Sequence, residues 1–92
     1  MYKCLKITFS ADLPEGFMQK AIQKNARKLD IEGVAQLMMS NLVRIIVCGA
    51  MDQVDAFLDL LYKEVNAVNM NEFQVEPFLK DRDYRGVFRV VE

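Results

Sequence analysis

The chain has no histidine. That removes every His-based catalytic dyad or triad and takes away the commonest neutral metal ligand. It also lacks a charge excess of either sign: twelve basic residues face thirteen acidic ones, for a net charge of −1. Such a balance carries no electrostatic footprint for nucleic acid or an anionic membrane surface. There is no apolar run of about 18 residues that would mark a transmembrane helix. The start, Met1-Tyr2-Lys3-Cys4-Leu5-Lys6, is interrupted by charge and does not read as a signal peptide. Cysteines number only two. With no secretory segment in view, they read as free thiols in a reducing compartment, and a cytoplasmic location is expected.

What is present is an ordinary globular composition, about half apolar and about a quarter charged. Ninety-two residues make one domain, expected to span 1–92. Leu5, Ile7 and Phe9 alternate with Cys4, Lys6 and Thr8, the pattern of a half-buried strand. Asp12-Leu13-Pro14-Glu15-Gly16-Phe17 then breaks the chain and opens a helix. Its apolar stripe is Met18, Ala21, Ile22, Ala26 and Leu29, with Lys20, Lys24, Arg27 and Lys28 on the wet face. Two strands follow, 34–39 and 42–47, joined by a turn at Ser40-Asn41. Val54, Phe57, Leu58, Leu61 and Val65 mark a second helix with Asp52 as its expected N-cap. After an Asn-rich loop over 66–71, Phe73, Val75 and Phe78 alternate, and Pro77 predicts an edge strand. A charged turn over 80–83 leads to a last strand over 84–91. The order predicts a ferredoxin-like βαββαβ sandwich, α+β, with two helices on one face of an antiparallel sheet.

The ordered set of motifs resembles the acylphosphatase family over nearly the whole chain. Gly16-Phe17 is similar to the G-F of that family's loop, and Ala26, Leu29, Ile31 and Gly33 keep the spacing of its A-x-x-L-x-L-x-G helix end. Ser40-Asn41 stands at its strand turn, and Gly49 with Phe88-Arg89-Val90 completes the pattern. The resemblance implies a loop and an Arg that hold the phosphate of an acyl phosphate, and an Asn on the second strand that orients water. That chemistry is oxyanion stabilisation with positioning. The Arg position falls on Met18 when counted from Gly16-Phe17. It falls on Gln19 when counted back from Ala26, because the spacing is one residue longer here. The Asn position falls on Leu37. Both side chains are missing, Asp12 and Glu15 add negative charge to the loop, and Pro14 removes an N–H donor.

The degenerate anion loop is therefore Glu15, Gly16, Phe17, Met18, Gln19 and Lys20, with Leu37 as the degenerate water-positioning site. The expected role is a small binding or interaction module without acylphosphatase activity, for an unknown protein or small-anion partner. The alternative is a divergent acylphosphatase that uses loop N–H groups and Lys20. Neither a cofactor nor a metal is expected. Asp52, Asp55 and Asp59 read as helix-start and solvated charge. Met38 and Met39, being adjacent, point to opposite faces and form no ligand set. Cys4 and Cys48 are expected near each other on the sheet face away from the helices. A redox pair or soft-metal site there is weighed against two reduced thiols, and the thiols are preferred. Lys6, Thr8 and Arg44 share that face without the stacking aromatics an RNA platform needs, so no nucleic-acid partner is expected. Pro77 and the charged turn protect an edge, which favours a monomer.

Overall fold

The structure, a computed structural model, describes residues 2–65, 70–78 and 86–91. Five strands form one sheet: β1 (Tyr2–Ser10), β2 (Glu32–Leu37), β3 (Leu42–Ala50), β4 (Asn71–Pro77) and β5 (Phe88–Val91). Two helices join them. The first, α1, has a π-helical opening, Met18–Gln23, that continues as the α-helical Lys24–Lys28; the second, α2, is Met51–Val65. Strand order is β4-β1-β3-β2-β5. Every pairing is antiparallel except β2 with β5, which is parallel, so the expected antiparallel sheet is mixed at that edge.

Alternation decides the two sheet faces. Ile7 and Phe9 of β1, Ala35 of β2, Val43, Ile45 and Val47 of β3 and Phe88 of β5 are buried under the helices. Val54, Phe57, Leu61 and Val65 of α2 meet them, as do Met18, Ile22 and Ala26 of α1. Phe73 of β4 stacks on Phe9 at 5.7 Å and meets Tyr62 of α2 at 4.6 Å, while Phe57 and Phe88 pack at 6.3 Å. Each such ring contact adds to the burial of apolar area that drives the fold. Gly33, at φ +147°, lies where β2 crosses close to β3. A Cβ there would stand 1.8 Å from the carbonyl oxygen of Ile46, so the strand pairing requires glycine.

Several boundaries differ from the sequence expectation. Strand β2 begins at Glu32 and ends at Leu37, because Met39–Asn41 turns as a 3₁₀ segment. Asn41 takes φ +59°, the turn role expected of it. Asp52 is not the N-cap: α2 follows directly from β3 at Met51, which places Asp52 inside the first helical turn. Asn71, expected in the loop, opens β4. The last strand is Phe88–Val91, and the expected turn over 80–83 lies outside the described residues.

The cysteine expectation is corrected. Cys4 and Cys48 are not free thiols; they form a disulfide with a Cα separation of 4.1 Å. They face each other in the β1–β3 register, and so short a Cα distance belongs to a closely spaced antiparallel pair. The argument from free thiols to a reducing compartment falls with them.

Candidate functional site

The loop between β1 and α1 is closed from both ends. Ala11 N–H donates to the Asn41 carbonyl at 3.1 Å, and Asn41 Nδ2 donates to Asp12 Oδ1 at 2.6 Å. The β2–β3 turn therefore clips the start of the loop. At its far end Phe17 N–H donates to the Pro14 carbonyl at 3.1 Å, and Lys20 N–H donates to the Gly16 carbonyl at 2.8 Å. Gly16 takes φ +79°, which suits a residue without a Cβ. The Lys20 stem folds over it: its Cε lies 3.3 Å from where a Gly16 Cβ would stand. Glu15 and Lys20 are exposed at this end of the fold, while the Phe17 ring is buried in the core.

An anion loop works by aiming several unpartnered N–H groups at one point. Here Pro14 has no N–H, and the Phe17 N–H is taken up inside the loop. Asp12 and Glu15 place two exposed carboxylates on the same seven-residue path, and Lys20 is the cation that folds back onto it.

The remaining candidates separate. Met18 is 2% exposed and packs in the core, whereas Gln19 is on the surface. The π-helical opening, seen in the donation of Lys24 N–H to the Gln19 carbonyl, has a wider turn than an α-helix. Met18, Ile22 and Ala26 consequently keep a four-residue spacing along the buried line. Leu37 faces the helices, half-buried against the core. It thus packs as an aliphatic side chain beside the loop-bearing end of the sheet. Sequence reasoning missed two features: the Asn41–Asp12 clip and the π-helical opening. The first was visible only as an Asn in a turn, and the second has no residue signature distinct from an α-helix.

The open sheet face is internally tied. Lys6 Nζ pairs with Glu76 at 2.9 Å, Arg44 Nη2 donates to Gln36 Oε1, and Tyr2 Oη donates to Glu32 Oε1 at 2.7 Å. No described helix is long and apolar enough to cross a membrane.

Known structures share this architecture. An acylphosphatase from Coxiella burnetii matches with a TM-score of 0.79 at 21% identity, over 97% of this chain and 92% of that one. An acylphosphatase from Bacillus subtilis matches with 0.78 at 15% identity, over the whole of both chains. Full-length HypF, in a phosphate- and nucleotide-bound form, matches with 0.77 at 18% identity; this chain is covered completely but spans only 12% of that protein. No curated protein sequence matches. At these identities the structures speak for the fold alone. The sequence pattern of the acylphosphatase family, however, matches residues 16–90, most of the chain. The chain belongs to the acylphosphatase family.

Proposed function

We propose that this acylphosphatase-family domain does not hydrolyse acyl phosphates and serves as a small binding or interaction module. One observation carries the reading. Where the resemblance implies an Arg and an Asn, the chain has Met18 or Gln19 and Leu37, and both Met18 and Leu37 are engaged in packing. Removing preorganised donors from an oxyanion site costs roughly a hundredfold to a thousandfold in rate for each group. The loop supports the same reading through the internal bond of Phe17 N–H and the carboxylates of Asp12 and Glu15. A monomeric protein with a protein or small-anion partner is the setting that fits this role.

The second reading, a divergent hydrolase using loop N–H groups and Lys20, is favoured by the Lys20 stem lying over Gly16. Benzoyl phosphate hydrolysis, with inorganic phosphate titrated by NMR in parallel, separates the two. The binding-module reading expects no turnover above background and no phosphate-dependent shifts over residues 12–20. Turnover that disappears in Lys20→Ala would replace it with the hydrolase.

A further inference from the structure

Cys48 is the one fully buried residue among the described residues on the open sheet face. Along that face of β3, Arg44 and Ile46 are half-buried and Leu42 and Ala50 exposed, yet Cys48 is 0% exposed. Cys4, the other half of the bridge, keeps partial exposure. The strand register explains the difference. Cys4 of β1, Cys48 of β3 and Glu32 of β2 form one row across three strands. Tyr2 lies two residues before Cys4 on the same face, opposite Ala50. Its hydroxyl nevertheless donates to Glu32 at 2.7 Å. Strands β1 and β2 flank β3, so they stand about 10 Å apart. The tyrosine side chain therefore reaches across β3 from the row of Ala50 toward the row of Cys48 and Glu32.

We propose that the Cys4–Cys48 bridge is a thiol-exchange site with one open end, gated by the Tyr2–Glu32 hydrogen bond. An incoming low-molecular-weight thiolate, RS⁻, attacks Cys4 Sγ. The Cys4–S–S–R bond forms as the Cys4–Cys48 bond breaks, and the electron pair leaves with Cys48 as a thiolate that takes a proton from water. A second RS⁻ attacks the R sulfur, releasing R–S–S–R and the Cys4 thiolate. The gate directs attack to Cys4 by closing off Cys48, and it slows that step by making Cys48 depart as a buried anion beside the Glu32 carboxylate, a poor leaving group.

The test uses the full chain and glutathione as the probe. Reduction is followed by acid quench, alkylation and mass mapping, with circular dichroism to confirm that each variant is folded. Tyr2→Ala is expected to raise the exchange rate roughly tenfold, and Glu32→Gln and Tyr2→Phe by smaller factors, on the scale of one net hydrogen bond. The trapped mixed disulfide is expected on Cys4 in the wild-type chain. Folded variants that react at the wild-type rate would overturn the gate. A mixed disulfide found on Cys48 in the wild-type chain would overturn the open end at Cys4.

Discussion

Asp30 holds φ +55° at the end of α1, a conformation that costs a non-glycine residue about 1 kcal/mol. It does so inside a complete helix stop. Ile31 N–H donates to the Ala26 carbonyl at 2.9 Å and Asp30 N–H to the Arg27 carbonyl at 3.2 Å, the paired bonds of a Schellman ending. Ile31 then buries its side chain in the core. The geometry is thus imposed by the stop and by the need to bury Ile31, against the preference of the residue that occupies it. Asp30→Gly is expected to stabilise the protein by about 1 kcal/mol, partly offset by the greater freedom of glycine in the unfolded chain. Urea unfolding with an unchanged m-value measures it, and a destabilised variant would mean that the Asp30 side chain makes a contact worth more than the strain. The spacing of Ala26, Leu29, Ile31 and Gly33 made the helix end legible in the sequence. It did not reveal that an Asp would take the left-handed position, because local propensity argues for glycine there and the tertiary requirement prevails.

At the scale of elements, strands were legible because alternation is a direct image of a two-faced sheet. Leu5, Ile7 and Phe9 place β1 and its orientation without further information, and the same holds for Val43, Ile45 and Val47. Helix α1 was legible as a helix but not as a π-helical one, since a four-residue spacing is common to both forms. That distinction bears on the site. Counting from Gly16-Phe17 and counting back from Ala26 divide the Arg position that the resemblance implies between Met18 and Gln19. The widened opening leaves Gln19 on the surface with Met18 in the core. Restoring a cation is therefore expected to work only at the surface position. Gln19→Arg combined with Leu37→Asn should tighten inorganic phosphate binding by roughly tenfold, the scale of one charge-assisted hydrogen bond. Neutralising Asp12 and Glu15 should add to it. Met18→Arg should instead cost several kcal/mol in stability by burying an unpaired charge. Phosphate titration by NMR decides the first, and thermal unfolding decides the second. Equal phosphate binding by folded Met18→Arg and Gln19→Arg proteins would refute the assignment of inside and outside.

For the whole molecule, the bridge is the feature on which the sequence reading was wrong: free thiols were preferred because no secretory segment was in view, and the position of two cysteines at facing strand ends does not itself distinguish thiols from a disulfide. Proximity was readable from topology and parity; bonding was not. Its position makes it a global restraint. It joins β1 to β3, two interior strands of the five, and the 44-residue separation encloses the loop, α1, β2 and most of β3. Both helices lie on the opposite face, so the bridge adds nothing to the apolar core and acts through the unfolded chain. Loop-closure entropy for such a separation corresponds to roughly 4 kcal/mol, and measured bridges commonly yield about 2–4. For a domain of this size that is a loss on the order of 10–25 °C in Tm on reduction. Thermal unfolding of oxidised and dithiothreitol-reduced protein measures it, and the Cys4→Ala/Cys48→Ala double variant should match the reduced form. The native fold should survive reduction, because the buried cluster from Ile7 to Phe88 does not include either sulfur. A reduced protein that kept the oxidised Tm would mean the two strands are held by pairing and packing alone. A reduced protein that lost its near-ultraviolet signal at low temperature would mean the core is too small to fold without the link between β1 and β3.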